Sequence, residues 1–548
     1  MQHTIDPVSL EILWSRLIAV ADEAATTLVR TSFSPTVRES NDYACVLFDA
    51  AGNAIAENTI GIPSFNMTLS RTLSHFLRLR PRESWRSGDI GITNDPWLAT
   101  GHLPDVTIVA PIFIDGRLVA WSGSVAHMVD IGGIPWSADG RQVFEEGLRI
   151  PPMMFFHAGT RNEDLLQLIR ANVRLPDQVV GDLMAMVAAG RIAEARLGEL
   201  MAEAGITELA DISAEIRTRA ERSMRRAIAT IPAGTYRSVL DMDGAPDEPI
   251  HLEVAVTVAG DELTVDYAGT SPQVMGALNT VMNYTEAYTC YPLKCLLDPT
   301  TPRNEGSYQP IRVSAPAGSI LNPRFPAAVN ARQLVGHVLS GMLFDALSAA
   351  IPQRIIGESG SAPTLRCVIS GMAANGRVFS SILFLNGGMG ARPGIDGLAT
   401  TCFPSTVMAG AMEAVEAVSP LRIWRKEFAV DSGGAGKFRG GLGQEVEVEV
   451  LAATSAIVSL FVERTRQPAR GVLGGQPGGG SRVEINGRRD GFPLKGRSRI
   501  AAGDRIHVRY AGGGGYGDAR ERDRDALRAD VEAGIVSAQA ARELYGLK

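Results

Sequence analysis

NDPWLATGHLPDVTIVAPIFIDGRLVAWSGSVAHMVDIGG, residues 94–133, is the stretch around which the rest of the chain is organised. Residues 106–114 are a β-branched, apolar run, Asp115-Gly116 is a two-residue turn signal, and residues 117–125 return. Pro111 cannot donate to a strand ladder, so it predicts an edge strand or a bulge. Counting back from a two-residue turn sets His127 opposite Pro104, with His102 and Asp105 on either side. Two of the eight histidines therefore meet a carboxylate at the open end of one hairpin. The two-residue period puts His102 and His127 on one face, with Asp105 on the other if the strand is unbroken. Pro104 argues against an unbroken strand, and a bend at Leu103-Pro104 brings Asp105 round to the imidazoles. Two imidazoles and a carboxylate suit a divalent metal. They also have a plainer account, since a histidine near a strand end is ordinarily a satisfied polar side chain. The spacing is neither that of a zinc finger nor His-Glu-x-x-His, so it names no metal.

A chain of 548 residues is long enough for roughly two to four units with their own cores. Its 45% hydrophobic and 21% charged residues are those of a globular protein. A net charge of −7 gives no electrostatic reason to expect nucleic acid or an anionic membrane as partner. The five cysteines form no C-x-x-C pair, and their odd number favours free thiols in a reducing compartment. The start, MQHTIDPVSLEILW, lacks a basic region followed by an apolar core, and no apolar run approaches a membrane span. A cytoplasmic protein is expected.

Asp6-Pro7 predicts a capped helix to about Arg30, with Leu10, Leu13, Leu17, Val20 and Ala24 as its apolar stripe. Arg38-Glu39-Ser40-Asn41-Asp42 precedes a strand over 43–48, so Glu39 and Asp42 stand at a strand mouth where a site recruits residues. A helix over 63–77 leads to the hairpin. Helical patterning runs over 161–231, broken near Pro176 and Gly205. Strands fill 235–270, a helix 282–297, a helix 327–350, and strands 365–370 and 378–385. Residues 429–510 are strand-rich, and a final helix spans 520–545 with Asp530 and Glu532 on its outer face. The predicted fold class is α+β, a mixed, strand-rich, multi-layer architecture with long helical segments. Five regions follow: 1–160, α/β with the metal-site hairpin; 161–232, helical; 233–428, central α/β; 429–519, β-rich; and 520–548, the C-terminal helix.

Three glycine clusters, at 387–390, 432–437 and 512–515, invite a nucleotide-binding reading. None has the spacing G-x-x-x-x-G-K-[ST], because Lys437 is followed by Phe438, and none opens a strand-to-helix dinucleotide unit. Tight turns joining β elements are the expected explanation. No G-x-S-x-G elbow is present, which leaves a serine hydrolase without support.

Several ordered blocks resemble the hydantoinase B family, the B-type subunits of ATP-dependent hydantoinases and oxoprolinases and their relatives in acetone and acetophenone carboxylases. They are Arg38-Glu39-Ser40-Asn41-Asp42-Tyr43, Asn94-Asp95-Pro96 with Gly101-His102-Leu103-Pro104-Asp105, Ala126-His127 to Asp130-Ile131-Gly132-Gly133, and Glu146-Gly147-Leu148. Asp431 to Gly441 and Gly512 to Asp518 continue the series, so the likeness covers nearly the whole chain. It implies a metal-bearing, B-type component of a cyclic amide hydrolase acting on a hydantoin, 5-oxoproline or a lactam. ATP with magnesium belongs, by the same resemblance, to an A-type partner in a hetero-tetramer or larger assembly. In the carboxylase relatives the metal is manganese, held by two histidines, an aspartate and a glutamate. Carried over by motif, these fall on His102, Asp105, His127 and Glu39, a set that suits manganese, zinc or iron. Asp42, Asp95 and Asp130 are the candidates for a base or an orienting carboxylate around the imidazoles. The A-type Asp-Gly-Gly-Thr loop is missing, which predicts dependence on the partner. Residues 404–420 depart from the family's Asn-Thr-Pro-x-Glu pattern, so the ring that is opened does not transfer. Two alternatives stand beside this: a component of a ketone carboxylase, and a non-catalytic scaffold for the A-type partner.

Overall fold

The computed structural model describes residues 6–547 apart from 246, 247 and 364. Asp6 caps helix α1 (Pro7–Thr31) by accepting from the Ser9 amide, and Leu10, Leu17, Val20 and Ala24 are buried along it. A one-turn helix, α2 (Pro35–Arg38), leads into strands β1 (Tyr43–Asp49) and β2 (Ala54–Glu57), then helix α3 (Pro63–Leu79). Strands β3 (Ile90–Thr93), β4 (Asp105–Ile114), β5 (Arg117–His127), β6 (Met153–His157) and β7 (Thr160–Arg161) follow. Helices α4 (Glu163–Asn172), α5 (Pro176–Ala204) and α6 (Ala210–Ile228) fill the helical stretch, with the breaks where Pro176 and Gly205 predict them. The seven strands make one antiparallel sheet, ordered β2-β1-β5-β4-β3-β6-β7. Helices α1 and α5 cover one face and α3 the other.

The β4–β5 hairpin turns at Asp115 (φ 49°) and Gly116 (φ 74°), both left-handed, as a two-residue hairpin turn requires. Its register differs from the simple count. Phe113 faces Leu118, but Ile112 faces Ala120, so Val119 is one extra residue in β5. This β-bulge shifts every later partner by one position, and Asp105, not Pro104, stands opposite His127. Pro111 sits in an interior strand rather than at an edge. It is tolerated there because β3 has already ended, its pairing with β4 reaching only Val109.

Strands β8 (Gly234–Ala245), β9 (Glu248–Ala259) and β10 (Glu262–Asp266), helix α7 (Met282–Leu297) and strand β11 (Ile311–Ser314) build the next layer, a sheet ordered β11-β10-β9-β8. Residues 327–350 are not one helix. They hold α8 (Gln333–Gly336) and α9 (Leu339–Leu347), because the amides of Val329 and Asn330 donate to Glu146 and that of Ala331 to the Ala277 carbonyl. Those tertiary bonds use the donors a longer helix needs.

The remaining elements are β12 (Leu365–Met372), β13 (Val378–Leu385), α10 (Met412–Val418), β14 (Leu421–Phe428), β15 (Gln444–Val450), β16 (Ser455–Phe461), β17 (Arg482–Ile485), β18 (Lys495–Ala501) and β19 (Arg505–Arg509). They form two sheets, β13-β12-β16-β18 and β14-β15-β19-β17, that share one core. The C-terminal segment is two short helices, α11 (Arg524–Glu532) and α12 (Ala538–Glu543), broken at Gly534 (φ 71°). Glu532 is exposed, but Asp530 is buried against Arg439 and Arg522 rather than on an outer face. The architecture is α+β, with several antiparallel sheets and long helices. No helix among the described residues is long and apolar enough to cross a membrane.

The glycine clusters do not act as turns between strands. Their backbones stack directly on one another: Gly434 N donates to Gly513 O, Gly513 N to Gly441 O, and Gly515 N to Gln476 O. A Cβ on Gly388 would lie 1.8 Å from the Gly441 carbonyl oxygen, and one on Gly512 equally close to that of Ser432. Glycine is required here for close approach, since none of these residues is left-handed.

Candidate metal centre

The register places three polar side chains in a row across three strands. Tyr43 pairs with Ala126, so Asp42 stands beside His127 on one side, while Asp105 stands beside it on the other. Ala44, Val109 and Val125, their alternates along the strands, pack with α3, so the row lies on that face of the sheet. Asp42 reaches its place because Asn41 is left-handed (φ 53°) and turns the chain out of α2 into β1. His102 arrives from the loop before β4. That loop is held by Asn94, whose side chain donates to the Leu103 and Leu148 carbonyls and accepts from the Ile150 amide.

His102 Nε2 lies 2.8 Å from Asp105 Oδ1, and His127 Nδ1 lies 2.9 Å from the same oxygen. All three groups are at most 2% exposed. Asp42 Oδ2 is 3.9 Å from His127 Nδ1. His102 Nδ1 donates to the Asn330 carbonyl at 3.1 Å, which fixes the proton on that nitrogen. Burial, reinforced by the Arg332 charge, pushes the His102 imidazole down to about 4, so it is neutral. Its Nε2 therefore offers a lone pair to a carboxylate oxygen, an acceptor facing an acceptor, and has no hydrogen-bond partner. A cation between them would resolve this conflict. The donor set, two imidazole nitrogens and a carboxylate oxygen all within 4.8 Å of one another, could hold a divalent metal ion.

Burial alone would raise the Asp105 carboxyl, but the Arg332 guanidinium beside it holds it well below the usual range. Arg332 donates from Nη2 to Asp105 Oδ2 at 2.5 Å and from Nε to the Thr100 carbonyl at 2.7 Å, and stacks 3.9 Å over the Tyr284 ring. It passes beside Gly101 (φ 101°), where any Cβ would meet the guanidinium arm at 2.8 Å. Burial pushes the Asp42 carboxyl up, against the lowering influence of His127. Trp136 packs its ring 4.7 Å from that of His127 and donates to the same Asn330 carbonyl that holds His102.

The other residues expected from the sequence lie elsewhere. Glu39 ends α2 with a partly exposed carboxylate paired to Arg38 at 3.2 Å, outside the His–Asp cluster. Asp95 accepts from the Trp97 amide and faces Arg149 at 3.6 Å, as a turn residue does. Asp130 accepts from the Gly132 amide at 3.2 Å and from Arg174 at 2.6 Å, clasping its loop to the start of α5. Arg332, Asn330 and Trp136 were not anticipated. Nothing local marks them, since they meet the hairpin only through tertiary packing.

A family model described as hydantoinase B/oxoprolinase matches residues 6–519. A chain from Pseudomonas sp. (strain NS671), provisionally named as the B component of a D-/L-hydantoinase, is 30% identical over 99% of this chain and 95% of its own length. The crystal structure of an ATP-dependent caprolactamase from Pseudomonas jessenii superposes with a TM-score of 0.92 at 28% identity, covering 99% of this chain and 96% of that one. A nucleotide-free acetone carboxylase structure has a TM-score of 0.88 over 99% of this chain and 80% of its own, and at 21% identity it shows the fold alone. The chain belongs to the hydantoinase B/oxoprolinase family.

Proposed function

We propose that this chain is the metal-bearing, B-type component of an ATP-dependent hydrolase that opens a cyclic amide, a hydantoin, 5-oxoproline or a lactam. ATP with magnesium is held by an A-type partner in the same cytoplasmic hetero-oligomer. The observation that carries the metal is the buried, partnerless lone pair of His102 Nε2 beside Asp105 Oδ1. Family membership and the caprolactamase likeness support the substrate class.

His102, Asp105 and His127 hold the ion, with Asp42 rather than Glu39 as the fourth donor, a set that suits manganese, zinc or iron. When bound, the metal polarises the amide oxygen or activates water. The protein's own residues supply the rest. The Asn330 carbonyl keeps His102 in the tautomer that aims Nε2 at the ion, Arg332 balances the Asp105 charge, and Trp136 shields one side of His127. The cavity beside His127 is about 20 Å³, room for one water. It shares Val129, Ser380 and Ile382 with a neighbouring cavity of about 460 Å³, which is large enough to admit the ring.

The test is elemental analysis of the wild type and of His102→Ala/His127→Ala, each purified without added metal. Near-stoichiometric metal in the wild type and none in the variant is expected, together with loss of ATP-coupled ring opening in the assembled complex. Retained turnover in an assembled variant would remove the catalytic metal. Turnover that requires bicarbonate would favour a ketone carboxylase instead.

A further inference from the structure

Glu146 is a second carboxyl on the cavity beside His127, and no role in metal binding uses it. It follows a short 3-10 turn (Val143–Glu145) and is 1% exposed. Its Oε1 accepts from the amides of Val329 and Asn330, both at 2.8 Å. Its Oε2 is enclosed and has no hydrogen-bond partner. The same Asn330 holds His102 and Trp136 through its carbonyl, so one strip of backbone fixes both an imidazole of the metal cluster and this carboxyl. Asn330 Oδ1 is another buried atom without a partner on that cavity.

An ionised Oε2 would be an uncompensated buried charge, because Arg174, the cation lining the cavity, is committed to Asp130 and the Gly133 carbonyl. The other charged or titratable groups nearby are His127, Asp130 and the preceding residue Glu145. Burial pushes the Glu146 carboxyl up to about 8, so it is neutral at physiological pH. Glu146 and Asn330, carrying a buried O–H donor and a buried acceptor that are both unused, line the same small cavity, which adjoins the larger one at Val129, Ser380 and Ile382. That pairing matches a leaving nitrogen and the N–H of a secondary cyclic amide.

We propose that Glu146 is the catalytic acid of ring opening, transferring its Oε2 proton to the ring nitrogen as the C–N bond breaks. The inference rests on the cyclic amide reading above. Water oxygen bonds to the acyl carbon and gives up a proton. The C–N electron pair then goes to nitrogen together with the proton from Glu146, and the carboxylate regains the proton released by the water. No oxidant or reductant is involved. Loss of a positioned acid costs roughly 10²- to 10⁴-fold in rate.

Glu146→Gln is nearly isosteric and keeps Oε1 as acceptor for both amides, so it removes the proton without removing the support. The complex with its A-type partner and ATP-Mg is assayed against ε-caprolactam, 5-oxoproline and hydantoin. With a ring that the wild type opens, E146Q is expected to lose about 100-fold or more in kcat, with KM and bound metal unchanged. The wild-type rate should also fall above about pH 8, a limb that E146Q lacks. Infrared spectra at neutral pH should show a neutral-carboxyl band in the wild type that is missing from E146Q. A kcat within about threefold of wild type overturns the assignment of Glu146 alone. A wild type inactive on all three rings overturns the parent reading and this one with it. Should E146Q fail to fold, alkaline titration of the wild-type band decides. Disappearance with the midpoint of kcat supports the role, and no such band overturns it.

Discussion

The open end of the β4–β5 hairpin and the stacked glycine segments are both buried and tightly packed, yet they treat polar atoms in opposite ways. Between the glycine segments, backbone donors meet backbone acceptors at close range, as from Gly434 to Gly513 and Gly513 to Gly441. At the hairpin, His102 Nε2, Glu146 Oε2 and Asn330 Oδ1 have no partner at all. Buried polar groups are ordinarily satisfied, and each one that is not raises the free energy of the empty site by about 1–3 kcal/mol. The first region is closed by backbone pairing, while the second brings unpaired side-chain atoms together around one imidazole pair. The difference lies in what is left unpaired.

The sharpest way to break this contrast is to add one methyl group to the glycine stack. Gly388→Ala sets a Cβ 1.8 Å from the Gly441 carbonyl oxygen, so at least about 4 kcal/mol of stability is expected to go, read as lost soluble yield or a collapsed Tm. Gly198→Ala, within α5 and 3.8 Å from its nearest neighbour, is the control and should be neutral or gain about 0.5–1 kcal/mol. A smaller effect is expected from Arg332→Met, which strips Asp105 of its buried counter-charge. Metal-free protein should lose about 3 kcal/mol by denaturant unfolding, and added manganese should recover part of that by supplying another cation.

The smallest effects are in pH dependence, and the two regions should differ in sign. Beside the glycine stack, burial would raise the Glu358 carboxyl, but Arg464 and Arg470 hold it below its ordinary value. Its contribution is fully present above the unfolded value of about 4.3 and is lost as pH falls through the lower folded value. Glu146 is raised to about 8, so its contribution is fully present below about 4.3 and declines as pH rises to about 8. Stability curves of Glu358→Gln should lack part of the acid slope. Those of Glu146→Gln should lack part of the decline toward pH 8, each by about 1–2 kcal/mol. Slopes of the same sign in both variants would erase the contrast.

Local chemistry made much of this legible. The Asp6 cap, the Asp115-Gly116 turn and the helix breaks at Pro176 and Gly205 are properties of a few consecutive residues, and each lies where the sequence predicts it. His102, Asp105 and His127 were identifiable because one hairpin carries all three. That Asp42 rather than Glu39 stands beside His127 was not, because it depends on the pairing of β1 with β5 and on a left-handed Asn41. Residues 327–332 read as helix because their apolar spacing is helical. Their amides are instead drawn to Glu146 and Ala277, partners far away in the chain. The glycine clusters misled for a related reason. Turn glycines and close-approach glycines are alike in sequence and differ only in what lies across from them.

Val119, the one residue that β5 has in excess of β4, makes the hairpin's histidine end sensitive to parity. An insertion at the exposed turn leaves both strands in phase and should be tolerated. An insertion or deletion of a single residue between Val119 and His127 would exchange the two faces of the strand and turn His127 away from Asp105. Paired changes of two residues would restore the facing. Lineages of this fold should therefore vary freely at the hairpin tip while the segment between bulge and histidine keeps a fixed length, like a reading frame written in three dimensions.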